Sequence, residues 1–254
     1  MKQVLVFVLV IAAAGCGDDG NLLSIDELMD PETCRDCHPK HFREWQGSMH
    51  AYAAEDPVFI AMNRRGQEET GGELGDFCVN CHAPMAVRLG LTTDGLNLDE
   101  LPAHVKGVTC YFCHSVTEVA GDHNNPLVLA NDGVLRGGLI DPVDNGVHKM
   151  AYSPLHASGS QESSAMCGSC HDIVTPAGVH LERTFSEWKE SLFSKPHAMG
   201  GRSCNNCHMP FVKGTAADFP GVPLRDVREH MFIGVDVALT EWPEKEAQLA
   251  GIAR

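Results

Sequence analysis

The chain has no run of lysines and arginines: 19 basic residues are scattered among 34 acidic ones, giving a formal charge of −15. Binding along a phosphate backbone needs a basic face, so no nucleic-acid partner is expected. Its longest apolar stretch, Val4 to Ala14, is too short to cross a bilayer. Only three tyrosines and three tryptophans occur in 254 residues, while 25 glycines and 14 prolines imply much irregular backbone. Leu, Ile, Val and Phe are too sparse for a conventional core. Something other than side chains is therefore expected in the interior. What the chain does have is 11 cysteines and 14 histidines.

The N-terminal MKQVLVFVLVIAAAGC has one Lys, then the apolar run, then the small residues Ala13, Ala14 and Gly15 before Cys16. This pattern is that of an export signal and resembles a lipoprotein cleavage site. Residues 1–15 read as signal peptide and 16–30 as a lipidated N-terminus and tether. Cys16 is the acceptor, and it is the one cysteine outside a pair. Gly17 rather than Asp follows it, which permits sorting to an outer membrane. An exported, lipid-anchored protein is expected, on the periplasmic face or the cell surface.

The other ten cysteines form five Cys-x-x-Cys pairs, each followed by histidine. Site 1 is Cys34, Cys37 and His38; site 2 is Cys78, Cys81 and His82. Site 3 is Cys110, Cys113 and His114; site 4 is Cys167, Cys170 and His171; site 5 is Cys204, Cys207 and His208. At this histidine frequency, five matches out of five have a chance probability of about five in ten million. Two cysteines three apart share a face of a helical turn, where both sulfurs can add to the vinyl groups of a haem. The next residue then turns its imidazole toward the iron. Zinc ribbons, disulfide frameworks and thioredoxin-like motifs do not require the histidine each time. Five covalently bound haem c groups are expected.

Nine histidines remain, and each iron has a sixth position that imidazole commonly fills. A helix from 38 to 50 would carry His50 about 18 Å from His38, so His50 is expected to ligate a different haem and the segment to act as a strut. His41, three residues from His38, reads as a propionate or surface residue. Phe42-x-Glu44-Trp45-x-x-Ser48 recurs as Phe185-x-Glu187-Trp188-x-x-Ser191, which raises His197 as a distal ligand. His148 and His156, separated by Pro154, could serve separate irons. His230 lies in the apolar segment REHMFIGVDVAL and needs a buried partner. His104, His123 and His180 rank lower.

CRDCHPKHFREWQGSMHA, CGSCHDIV, CNNCHMP and HMFIGVDVAL together resemble the multihaem c-type cytochromes related to cytochrome c554, over most of residues 31 to 240. The resemblance implies an electron carrier with mostly bis-histidine haems in stacked and perpendicular pairs, with His50 and His230 as distal ligands. It departs from cytochrome c554 in having five sites instead of four. The Cys-x-x-Cys-Lys site usual in cytochrome c nitrite reductases is absent.

The fold expected is mostly α with extensive coil and stacked haems as the core. A pentahaem domain spans 31–240 and a C-terminal helix 241–254. Helices are expected at 38–54, 55–65, 160–171, 182–194 and 240–252, with long loops at 66–77, 88–109 and 115–147. Electron transfer is the leading functional reading, with donor and acceptor proteins as partners. A second is an oxidoreductase with one five-coordinate haem acting on a small nitrogen or sulfur species. A third is a homo-oligomer or filament of stacked subunits.

Overall fold

The computed structural model describes residues 22–143 and 145–254; the expected signal segment and Cys16 lie outside them. The N-terminal part runs α1 (Ile25–Met29), α2 (Pro31–Cys34), α3 (Pro39–Gln46), α4 (Met49–Tyr52), α5 (Pro57–Thr70), α6 (Val79–His82), α7 (Pro84–Arg88) and α8 (Cys110–His114). Then come β1 (Val116–Val119), β2 (Leu127–Leu129), β3 (Val134–Gly137), β4 (Lys149–Tyr152), α9 (Glu162–Gly168), β5 (Ile173–Val174), β6 (His180–Glu182) and α10 (Thr184–Glu190). The chain ends with α11 (Cys204–His208), β7 (Phe211–Thr215), β8 (Leu224–Arg228) and α12 (Lys245–Ile252).

Local chemistry explains the boundaries. Ser24 and Glu27 form a reciprocal capping box on α1. Asp56 caps α5 by accepting from Val58 N, Pro57 opens it, and Gly71 ends it in the left-handed region at φ 62°. Thr109 caps α8 and Ser203 caps α11, each one residue before an attachment cysteine.

Among the described residues, four two-stranded sheets punctuate the helices, so the mostly-α expectation is corrected to mixed helix and small sheets with much coil. β1–β2, β5–β6 and β7–β8 are antiparallel, and β3–β4 is parallel from Val134 against Lys149 to Gly137 against Tyr152. Strands of two to five residues are too short for an alternating pattern to stand out. Strands β1, β2 and β3 all fall within 115–147, which read as loop.

The expected helix 38–54 is also corrected. It breaks at Gly47–Ser48, where Ser48 turns extended (ψ 160°) and recaps α4 by accepting from Ala51 N. A Cβ on Gly47 would lie 2.8 Å from Glu244 Cβ, so the break admits the C-terminal segment. Trp242 Nε1 donates to Gln46 O at 2.7 Å, and the Tyr52 and Thr240 hydroxyls meet at 2.9 Å. The other helices shift: 55–65 becomes 57–70, 160–171 shortens to 162–168, 182–194 to 184–190 and 240–252 to 245–252.

One apolar cluster joins Leu28, Phe59, Val79, Ala83, Phe112, Val116 and Leu155. Leu28 places α1, in the stretch expected as tether, in the folded body. Val79 and Phe112 sit inside the attachment helices α6 and α8, so the small core is built between sites 2 and 3. Full burial of a side chain like Phe112 stabilises by roughly 1.5–3 kcal/mol. Among the described residues, no helix is long and apolar enough to cross a membrane.

Candidate functional site

All five attachment-site histidines are anchored through Nδ1. His38 donates to Ala216 O at 2.7 Å, His82 to Ala53 O at 2.8 Å, and His208 to Ile233 O at 2.6 Å. His114 donates to Arg136 O. His171 alone meets a side chain, Glu182 Oε1, at 3.3 Å. A carbonyl can only accept, so in the first four rings the proton sits on Nδ1 and Nε2 keeps its lone pair. Metal-binding histidines are oriented in this way.

Three of these rings face a histidine remote in sequence. His38 and His148 have ring centres 6.3 Å apart, His114 and His230 6.3 Å, and His171 and His50 6.2 Å. Two imidazoles bound to one metal through bonds of about 2.0–2.1 Å hold their ring centres roughly 6 Å apart. His38 and His41 are also 6.1 Å apart, but they lie side by side one turn apart at the start of α3.

Separate devices deliver the three distant rings. Asn145 Oδ1 accepts from Val147 N and His148 N, fixing the turn that carries His148 into β4. His50 follows the recap at Ser48, and its carbonyl accepts from Val108 N at 2.8 Å. His230 N donates to Glu44 Oε2 at 2.9 Å, tying the C-terminal segment to α3. Two residues on, Phe232 occupies the left-handed region at φ 49°, a strained position for a bulky side chain. There its ring packs 4.4 Å from His50, and Ile233 beside it holds His208. Three residues within the stretch 230–233 thus bear on sites 3, 4 and 5.

Burial keeps two of the distant rings, His50 and His230, neutral, as ligands must be. It lowers His50 to about 3, with His171 and His208 adding repulsion, and drives His230 well below its ordinary value. His50 Nδ1 is buried with no hydrogen-bond partner, an arrangement that costs about 1–3 kcal/mol when nothing occupies the nitrogen. His171 differs from the other attachment rings: the hydrogen bond to Glu182 raises it, and the same bond holds Glu182 below the usual carboxylate range.

His156 lies beside site 3, and His197 stands apart. His156 stacks 5.3 Å from His114 and donates through Nε2 to Cys113 O, leaving Nδ1 buried and unpartnered. His197 is exposed in a short 3-10 turn after Pro196, and among the described residues no ring faces it. His82 meets Phe59, stacked at 3.9 Å, and neither His82 nor His208 has a histidine ring opposite it among the described residues. His41, read as a propionate or surface residue, is half-buried with its ring 4.7 Å from His230. His123 contacts Asp122, and His180 is exposed on β6.

The sulfurs bring the sites into order. Cys34 of site 1 and Cys110 of site 3 share a hydrogen bond that pushes one thiol down and the other up. Cys81 of site 2 pairs likewise with Cys170 of site 4, and Cys167 of site 4 with Cys204 of site 5, which falls to about 6. Burial raises Cys113 of site 3 to about 12, and Cys170 of site 4 adds to the rise. Hydrogen bonds give the same neighbours: Asn125 donates to Ser169 O beside Cys170 and to Asn80 O of site 2, and Cys204 N of site 5 donates to Ser164 Oγ on α9, which makes site 4 the junction. Among the described residues, no three His, Cys, Asp or Glu side chains converge as the cage of a bare metal ion would.

The repeated motif has the same geometry twice. Trp45 Nε1 donates to Val108 O at 2.8 Å, and Trp188 Nε1 to Arg202 O at 2.9 Å. Each acceptor lies two residues before an attachment cysteine, Cys110 or Cys204. Ser48 Oγ and Ser191 Oγ return to the tryptophan carbonyls at 2.7 and 2.8 Å, and both serines turn extended. Sites 1 and 3 thus correspond to sites 4 and 5. Sequence reasoning missed the Nδ1 acceptors because backbone carbonyls carry no residue signature. It missed Glu182 because the pairing of Ile173 with Glu182 across β5–β6, which sets that side chain beside His171, is a matter of register.

These residues fit a covalently attached haem: paired cysteines, a histidine next in line oriented through Nδ1, and at three sites a histidine ring opposite. No curated protein and no solved structure matches the chain. Residues 33–115, about a third of the chain and the part that carries sites 1 to 3, are similar to the family described as cytochrome c554 and c-prime.

Proposed function

We propose that this chain carries electrons through five covalently attached haem c groups, with stacked haems as much of its interior. Cys34 and Cys37, Cys78 and Cys81, Cys110 and Cys113, Cys167 and Cys170, and Cys204 and Cys207 would hold them. When bound, haem c supplies one-electron exchange between ferric and ferrous iron. His38 with His148, His114 with His230, and His171 with His50 would hold three of the irons, a ligand set without methionine that would suit outer-sphere electron exchange at low potential. The observation that carries this reading is the common separation of those three ring pairs, 6.2–6.3 Å. The thiol contacts order the sites as 1 to 3 and, through site 4, to 2 and 5.

The test is the mass of the mature protein with its EPR spectrum. Five haem adducts and three bis-imidazole low-spin signals are expected; a protein without porphyrin adducts overturns the proposal. A lipid on Cys16 would hold this relay at a membrane surface, where donor and acceptor proteins dock. Mass of the mature N-terminus tests that placement.

A second reading draws on His82 and His208, which have no opposing histidine among the described residues. Such sites would leave an iron open to a small nitrogen or sulfur species. Cyanide or nitric oxide shifting the spectrum of the purified protein would support catalysis; no shift would remove it.

A further inference from the structure

Four attachment histidines give their Nδ1 protons to neutral backbone carbonyls, and one gives its proton to a carboxylate. The exception occurs at the junction, site 4, which Asn125 ties to Asn80 of site 2 through Ser169 O and which Ser164 ties to site 5 by accepting from Cys204 N. The pair is partly exposed, and hairpin register brings its members together. The β5–β6 hairpin begins two residues after His171 and pairs Ile173 with Glu182, which folds Glu182 back beside the ring. Thr184 Oγ1 donates to the same oxygen at 2.9 Å and fixes its direction, while Phe185 N donates to His171 O at 2.9 Å and locks the backbone. Across from His171 stands His50, so the set has three members: carboxylate, proximal imidazole, distal imidazole.

A carboxylate that accepts the Nδ1 proton draws it from the ring and makes Nε2 a stronger donor. A stronger donor favours the ferric state, which carries one more positive charge than the ferrous state. Neutral carbonyls do this far less. Resting on the reading of site 4 as a haem site, we propose that Glu182 is a positioning residue that acts through His171 to depress the reduction potential of the haem at site 4. The relay's junction is thereby kept from retaining the electron, which passes on toward its neighbours.

The test is a potentiometric titration of the five-haem protein against Glu182→Gln, followed by absorbance and EPR. The substituted amide keeps an accepting oxygen and removes the charge. One component should move to a more positive potential while the other four stay in place, and it should be the component that His50→Ala converts to high spin. Glu69→Gln, on the exposed face of α5, controls for a general change in charge and should move none. Glu182→Gln with all five components unmoved, shifted together, or shifted downward overturns the proposal. A wild-type protein without haem adducts would instead overturn the reading it rests on, so the two failures are distinguishable by mass alone.

Discussion

His50 and His171 lie 121 positions apart in the chain, yet their rings stand 6.2 Å apart at an interplanar angle of 61°. His50 emerges just after α3, the helix that starts at site 1, whereas His171 closes site 4. One short segment therefore spans two attachment sites, and its position depends on the recap at Ser48 and on Phe232 behind the ring.

Removing that ring should open one iron only. His50→Ala is expected to retain all five haem adducts by mass and to convert one low-spin EPR signal to high spin. His148→Ala and His230→Ala should each convert a different signal. His197→Ala should leave the monomer's spectrum unchanged. Loss of the same signal in all three variants would contradict the pairing.

Gly107 should matter for the same iron without touching it. At φ 69°, a Cβ there would come 2.6 Å from Ala51 O and 2.7 Å from His50 O. Gly107→Ala combines an unfavourable left-handed conformation with a backbone collision, at a cost of about 1–3 kcal/mol. The variant is expected to melt earlier and to show partial high-spin character in the signal that His50→Ala abolishes. Thermal unfolding followed by Soret absorbance, with EPR, checks both.

The two tryptophans should differ in degree. Trp45→Phe leaves Val108 O without its donor in a partly buried setting, which costs about 1–3 kcal/mol. Trp188→Phe frees Arg202 O at an exposed position, where water replaces the indole, so its cost should be smaller. Guanidinium unfolding of the holoprotein measures each. Equal and negligible losses would mean that the indoles do not hold sites 3 and 5.

Without haem the chain should not hold this structure. Its apolar cluster is small, the sheets among the described residues are all two-stranded, and isolated two-stranded pairs are marginal in water. Protein produced without haem attachment is expected to give a far-UV circular dichroism spectrum dominated by coil. A folded, cooperatively melting apoprotein would contradict this.

Much of the candidate site was legible in the residues themselves, because Cys-x-x-Cys-His is local chemistry: sulfurs three apart and an imidazole next in line share one helical turn. The turns at α6, α8 and α11 each finish on that histidine. The repeated Phe-x-Glu-Trp-x-x-Ser was equally local, and its two copies share one conformation. The strands were not legible, since two to five residues leave no period to read. His197 shows the limit of a repeat: Pro196 and the extra residues after Ser191 carry it to the surface, whereas His50 follows its serine by two positions.

The sequence alone determined where the five Cys-x-x-Cys-His strings fall and that few side chains remain to build a core, because each of these follows from residue identity and short-range spacing. Only the tertiary structure decided which distant imidazole meets which attachment site, that site 4 is the junction, and that His171 alone answers to a carboxylate. Those depend on hairpin register, a helix break at Gly47 and carbonyls contributed by remote backbone. Such contacts close loops of tens of residues, and no local pattern encodes where a loop returns.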